Sequence, residues 1–87
     1  MPVRSLTEAL PAAWTRGQIS IVGLARSGRA AAELVRRAGA DVYASDAGSG
    51  DAVEHAATAL RHLDVVVQTG GHDLERIAHS ALVIASP

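Results

Sequence analysis

The sequence lacks cysteine, lysine and phenylalanine, and it contains one tryptophan and one tyrosine in 87 residues. Without cysteine there is neither a disulfide framework nor a thiolate that could act as a nucleophile or zinc ligand. The eight basic residues are all arginines, and nine acidic residues balance them, for a net charge of -1. This composition predicts no basic face, so we expect no binding to nucleic acid or to an anionic membrane.

Long apolar runs are also missing. No stretch approaches the roughly 18 apolar residues of a membrane span, and residues 1–14 lack the continuous apolar segment of a signal peptide. Together with the absence of cysteine, this pattern predicts a cytoplasmic protein. A chain of 87 residues is expected to form a single small domain with a modest core.

Four short apolar runs rich in β-branched residues recur along the chain. They show no polar alternation, so we interpret them as strands buried on both faces of a parallel sheet. Helical patterns separate them, and this alternation predicts an α/β fold: a Rossmann-like, doubly wound parallel sheet with strand order 3-2-1-4. The four runs are residues 19–22, 42–44, 65–67 and 82–85.

The helical patterns carry their own start and stop signals. Gly39 is suited to a left-handed cap at the end of the first helix, and Asp51 and Asp73 are predicted to cap the second and third. Arg29 and Glu33 have the spacing of an ion pair on the exposed side of the first helix. The buried side of that helix is predicted to consist of Ala31, Leu34, Val35 and Ala38.

A glycine-rich stretch, GLARSG at residues 23–28, lies between the first strand and the first helix. Gly23 allows a sharp turn, Gly28 allows close helix packing, and the backbone N–H groups of the first helical turn attract a phosphate. Ala25 occupies the position at which a dinucleotide-binding loop has its middle glycine. Its methyl group would keep a diphosphate further from the loop backbone. Ser27 could also cap the helix. The alternative is a tight turn that binds no ligand.

Asp46 follows the second strand, where a domain that binds NAD places an acid on the ribose hydroxyls. An ionised carboxylate only accepts hydrogen bonds, so it would select a ligand that presents N–H or O–H donors. The alternative is an ordinary loop aspartate, since the surrounding residues 45–50 read Ser-Asp-Ala-Gly-Ser-Gly and favour a turn by composition alone.

Catalytic and metal-binding patterns are missing. The sequence has no G-x-x-x-x-G-K-[ST] loop, no nucleophile paired with a base and no paired carboxylates, so we expect this chain to bind a ligand without catalysis. No dense acidic cluster accompanies the histidines, and we interpret them as solvated or capping residues and not as metal ligands. These are His55, His62, His72 and His79.

Three segments together resemble the N-terminal domain of the Mur ligase family: ISIVGLARSG at 19–28, VYASDAG at 42–48 and LVIASP at 82–87. The resemblance implies a UDP-binding domain over residues 18–87, preceded by a segment 1–17 that could include a short helix. It implies a chain truncated before the ATP-binding and C-terminal domains of that family. The branch it resembles most uses ATP and Mg²⁺ to add D-glutamate to UDP-N-acetylmuramoyl-L-alanine in peptidoglycan synthesis, a pathway of cell-wall biogenesis, cell division and cell shape.

The resemblance also implies which residues contact the substrate. Asp46 and the backbone of Ala47 would read the uracil edge beside Gly48, a position where the family often has a larger polar residue. The diphosphate would be held by backbone N–H groups and by the Ser27 hydroxyl, within the set Gly23, Ala25, Arg26, Ser27, Gly28 and Ser86.

Two other classes of protein share part of this pattern. A glycine-rich turn and an acid after the second strand also occur in the NAD(P)-binding domains of dehydrogenases and in nucleotide-sensing modules, such as those of potassium-channel regulators. A further alternative is a scaffold domain that binds no ligand. Ala25 and the Ser-Pro ending at 86–87 favour the Mur ligase.

Overall fold

The computed structural model describes residues 17–85 and contains a single four-stranded sheet in this part of the chain. All strand pairs are parallel and the spatial order is β3-β2-β1-β4, which confirms the predicted α/β fold and topology. The strands are β1 (Gln18–Val22), β2 (Asp41–Asp46), β3 (Val66–Thr69) and β4 (Leu82–Ala85). The helices are α1 (Arg26–Arg37), α2 (Asp51–Arg61) and α3 (Leu74–Ala78). The helix considered for residues 1–17 and the site residue Ser86 lie outside the described residues.

Helices α1 and α2 pack on one face of the sheet. Alternate residues of the central strands point to this face and meet the small or aliphatic residues of the two helices. Full burial of an isoleucine or leucine side chain stabilises the fold by about 1.5–3 kcal/mol. The core between these layers includes Ile19, Ile21, Val42, Ala44, Ala32, Val35, Ala56 and Leu60.

The opposite face of the sheet is joined to α3 and its flanking loops by hydrogen bonds. The Tyr43 hydroxyl accepts from the backbone N–H of Asp73 at 2.9 Å and donates to Gln68 Oε1 at 2.7 Å. The hydroxyls of Ser20 and Ser80 also bond to each other, with Ser20 fully buried. This polar face explains why serine and tyrosine occur inside strands that are otherwise aliphatic.

The prediction that every strand is buried on both faces is correct for β1 and β2 and wrong for the edge strands. Val66 of β3 and Val83 of β4 are each 45% exposed. Both lie on the α3 face, which in the described part of the chain carries one five-residue helix. On this face the central strands are covered, as the buried Tyr43 and Ser20 show, whereas the edge strands stay partly open.

The buried side of α1 is rotated from the predicted one. Ala32, not Leu34, faces the sheet with Val35, and Leu34 is 53% exposed. Each helical residue advances about 100°, so a helix centred on Ala32 and Val35 places Leu34 on its flank. The predicted Arg29–Glu33 ion pair is present at 3.3 Å.

The helix ends agree with the sequence at two of four predicted positions. Gly39 has φ 100°, the left-handed conformation predicted after α1, and the Asp73 side chain caps α3 by accepting from Arg76 N at 3.0 Å. The predictions for Ser27 and Asp51 are wrong. Both lie inside their helices, because Ala25 and Gly50 adopt the extended conformation of the capping position.

Candidate nucleotide site at the carboxyl edge of the sheet

Three loops meet where the parallel strands end. They are the glycine loop (residues 23–28), the β2–α2 turn (46–48) and the β3–α3 loop (70–73). Backbone hydrogen bonds join the last two, from Gly70 N to Gly48 O at 2.9 Å and from Gly71 N to Asp46 O at 3.1 Å. The structure therefore brings the predicted diphosphate and uracil residues of the described chain to one edge of the sheet.

The glycine loop has the geometry predicted from its two glycines. Gly23 has φ 99°, a left-handed conformation in which a side chain would be strained, and its N–H donates to Ser45 O at 2.7 Å. Gly28 is buried in the first turn of α1, so the helix packs closely. Between the two, Ala25 and Arg26 are exposed at the edge of the sheet. The loop thus offers accessible backbone at the start of a helix.

The two long helices differ in the charges at their starts. The first turn of α1 has no acidic residue and begins with Arg26, whereas the first turn of α2 contains Asp51 and Glu54. Acidic side chains complement the positive end of a helix dipole, and α1 has no such complement of its own in its first turn. At the start of α1, Arg29 N donates to Ala25 O at 3.0 Å, and Ala25 and Arg26 are exposed. An anionic ligand therefore suits α1 better than α2.

Asp46 joins the glycine loop to the β2–α2 turn. Its Oδ2 accepts from Leu24 N at 2.7 Å, and its Oδ1 accepts from Gly48 N at 2.8 Å. These bonds from Leu24 and Gly48 lower the pKa of Asp46, partial burial opposes them, and nearby His72 lowers the pKa further. The carboxylate is therefore ionised at neutral pH and accepts hydrogen bonds only.

Each oxygen of that carboxylate still has acceptor capacity. An ionised carboxylate has about four lone-pair sites, and the two backbone bonds use one on each oxygen. Asp46 can therefore hold the loops together and accept from a ligand at the same time. A uracil N–H and a ribose hydroxyl are both donors of the required kind.

His72 belongs to this site, although the sequence reasoning assigned it no role there. Its Nδ1 lies 2.6 Å from the hydroxyl of Ser45, a fully buried residue, and it lies close enough to Asp46 to lower the pKa of that carboxyl. Two sequence features could have indicated this position. Strand alternation points Ser45 to the α3 face, and the β3–α3 loop returns to the same edge of the sheet.

Three curated relatives share this segment of sequence. Each is a UDP-N-acetylmuramoylalanine--D-glutamate ligase. The protein from Acidobacterium capsulatum is 39% identical over 70 residues, 80% of this chain and 15% of the relative. The protein from Chlorobaculum tepidum is 43% identical over 68 residues, 78% of this chain and 14% of the relative. That from Anaeromyxobacter dehalogenans is 41% identical over 70 residues, again 80% and 15%. No family model and no solved structure matches the chain.

This chain belongs with the N-terminal regions of the Mur ligases. The family resemblance inferred from the glycine loop, the Asp46 turn and the fourth strand is thereby confirmed. The chain spans 14 to 15% of the length of these ligases.

Residues 17–85 contain no group of three histidine, aspartate or glutamate side chains that could hold a metal ion. Within the same range, the helices are too short or too polar to span a bilayer.

The described chain ends beside the glycine loop. Ala85, the last described residue, pairs with Val22, which immediately precedes that loop. The assignment of individual residues to UDP stays a prediction.

Proposed function

We propose that this chain forms the UDP-binding part of an ATP-dependent ligase that adds D-glutamate to UDP-N-acetylmuramoyl-L-alanine during peptidoglycan synthesis in the cytoplasm. The names of the three relatives support the class of enzyme. The placement of the glycine loop beside Asp46 supports the class of ligand.

The observation that carries the proposal is the double hydrogen bond of Asp46 to Leu24 N and Gly48 N. It fixes an ionised acceptor between the start of α1, which suits an anion, and an exposed turn. A pyrimidine nucleoside diphosphate has the matching groups, with a diphosphate at one end and a ring N–H at the other. One ligand could therefore satisfy both parts of the site.

The diphosphate would lie at the open start of α1. The contacts would come from the backbone N–H groups of Ala25, Arg26 and Ser27 and from the Ser27 hydroxyl, in an exposed part of the glycine loop. Leu24 N is different, because it already donates to Asp46. A phosphate at Leu24 would also face the carboxylate, so repulsion between the two anions favours a position nearer Ser27.

The uracil would lie against the β2–α2 turn. Asp46 would accept from its N3–H, and a backbone N–H would donate to a ring carbonyl. Gly48 N already donates to Asp46, which leaves Ala47, an exposed residue, as the donor that the turn offers. Gly48 adds no side chain over the ring.

ATP and Mg²⁺ would bind to other parts of the full-length ligase. This sequence has no P-loop, and residues 17–85 do not provide a metal site. The role of this chain is then to hold the nucleotide end of the substrate while chemistry takes place elsewhere.

An NMR titration of the 87-residue chain tests the proposal. UDP is expected to shift the amide signals of residues 23–28 and 46–48 together, whereas ADP shifts at most the glycine loop, since adenine has no ring N–H in the matching place. Binding should be weak, with a dissociation constant on the order of 1 mM or about 4 kcal/mol, because only the two short loops of this chain would contact the ligand in the experiment. Shifts of equal size with ADP, or no shift of 46–48 with UDP, would contradict the proposal.

A further inference from the structure

The β3–α3 loop forms a third wall of the site, and it begins with two consecutive glycines. Gly70 has φ 76°, which only glycine adopts without strain, and both glycines donate backbone hydrogen bonds to the β2–α2 turn. Two adjacent glycines give the backbone wide conformational freedom. The hydrogen bonds from Gly70 and Gly71 to the β2–α2 turn are therefore favoured by an anchor, a side chain nearby that restricts this freedom.

His72 is the first side chain after the glycines that could provide this anchor. Its Nδ1 is 2.6 Å from the Ser45 hydroxyl, which lies at the end of β2 and is fully buried. Ser45 directly precedes Asp46, and the backbone O of Ser45 also accepts from Gly23 N at 2.7 Å. The His72 ring is therefore attached at the strand position that leads into the β2–α2 turn and that also holds the start of the glycine loop.

We propose that His72 is a positioning residue of the nucleotide site: through Ser45 it holds the β3–α3 loop against the Asp46–Gly48 turn. The bonds of Gly70 and Gly71 then fix the backbone of that turn before a ligand arrives. Asp46 is thereby set to receive the base. The statement about the base rests on the proposed function, whereas the statement about the loop does not.

The physical reason is the cost of leaving Ser45 without a partner. A buried hydroxyl that loses its hydrogen bond must either stay unsatisfied or draw water into the face of the sheet, and both weaken the neighbouring contacts. A second anchor lies one residue later, where Asp73 N donates to the Tyr43 hydroxyl. That bond holds the start of α3, so loss of His72 should loosen the glycines without releasing the helix.

The test compares four single variants and one double variant of the 87-residue chain. His72→Leu removes the hydrogen bond at similar size, and Ser45→Ala removes its other partner. His72→Asn keeps a polar atom close to the Nδ1 position and should restore the bond. His79→Leu is the matched control, because His79 is exposed at the end of α3 and its Nδ1 bonds to the Glu75 carbonyl of its own helix.

The first measurement is amide hydrogen exchange without ligand. In His72→Leu and in Ser45→Ala, we expect exchange at Gly70 and Gly71 to be faster by about fivefold, the factor that corresponds to a hydrogen bond of about 1 kcal/mol. Exchange at Arg29 N in α1 should change much less. His72→Asn and His79→Leu should resemble the wild type. Unchanged exchange at the two glycines, or an equal increase throughout the chain, would overturn the anchoring role.

The second measurement is the affinity for UDP. His72→Leu should weaken binding by about fivefold and His72→Asn should restore it, while the double variant with Ser45→Ala should be no weaker than either single one. Faster exchange of the glycines with unchanged UDP affinity would overturn the positioning of the base. If the wild-type chain binds no UDP, the proposed function fails, and the exchange data still decide whether His72 anchors the loop.

Discussion

Leu24 and Asp46, 22 positions apart in sequence, are joined by a 2.7 Å hydrogen bond from the Leu24 backbone N–H to Asp46 Oδ2. The bond crosses from the loop after β1 to the loop after β2, so the acid that would read the base also holds the loop that would bind the phosphates. A charge-assisted bond of this kind is about twice as strong as a neutral one. Loss of the Asp46 charge should therefore affect stability as well as binding.

At pH values below about 5, the free energy of unfolding of the chain is expected to decrease because Asp46 becomes protonated. Its pKa in the folded state is lowered by the bonds from Leu24 and Gly48, and in the unfolded chain the pKa returns to the ordinary value of an aspartate. A lowered folded pKa gives a stabilisation that is complete well above the unfolded value and is lost as the pH falls through the folded one. Urea unfolding between pH 3 and 7 should show this decline.

The matched variants for that experiment are Asp46→Asn and Asp41→Asn. Asp41 lies on the same strand with an 85% exposed side chain. The first variant should be less stable at pH 7 and should lose much of the acid-dependent slope, and the second should keep it. Parallel pH profiles for Asp46→Asn and the wild type would show that the carboxylate does not clamp the loops.

Gly48→Ala should weaken UDP binding a few-fold while leaving the fold intact. A Cβ at this position would lie 3.2 Å from Asp46 Oδ1 and 3.6 Å from Val53 Cγ2, so the carboxylate must move by a few tenths of an ångström. We expect a loss of no more than about 1 kcal/mol in binding, since the carboxylate can adjust. Gly50→Ala is the control, because a Cβ there meets nothing within 4 Å. Equal effects of the two changes on a UDP titration would contradict this account.

Asp64→Gly should stabilise the chain by about 0.5–1 kcal/mol. Asp64 has φ 63° just after α2, and the N–H of Val65 closes the helix by donating to Leu60 O at 3.1 Å. Gly39 occupies the equivalent left-handed position after α1, so Gly39→Ala should destabilise by a similar amount. Chemical denaturation of both variants measures the two effects. A shift of the same sign in each would argue against left-handed strain as their cause.

The isolated chain should release no phosphate from ATP. Hydrolysis needs groups that hold the γ-phosphate and Mg²⁺, and the sequence contains no P-loop lysine, nor any lysine. A phosphate-release assay with a Ser27→Ala variant purified in parallel separates true activity from contamination. Turnover by the wild type clearly above that of the variant would show a catalytic site that this account lacks.

The topology was predictable because glycines, helical spacing and β-branched runs act locally and agree with one another. The position of Asp46 after β2 and the turn at Gly23 follow from the same alternation. The exposure of Leu34 and Val66 did not follow, since it depends on how α1 rotates and how far a five-residue helix reaches. Tertiary packing decides both, and the sequence of one element does not contain it.

The residues of the candidate site could be predicted from the sequence more fully than the hydrogen bonds between them. The glycine loop and Asp46 were recognisable from their places after β1 and β2. The Asp46 bond to Leu24 was not, because a side chain that caps another loop leaves no trace in local spacing. His72 was missed because its contact with the buried Ser45, 27 positions away, follows only when strand alternation and the return of the β3–α3 loop are considered together.

The most direct test of the account is the ratio of UDP to ADP affinity in the wild type, in Asp46→Ala and in Arg26→Ala, measured by NMR titration with NADH as a further ligand. Asp46→Ala should remove a charge-assisted hydrogen bond to uracil, at a cost of about 1.5–3 kcal/mol, and abolish the preference for UDP. Arg26→Ala should keep that preference, because its backbone N–H survives the change. Tighter binding of NADH than of UDP, or an unchanged uracil preference in Asp46→Ala, would contradict the assignment of this site to a UDP-linked substrate.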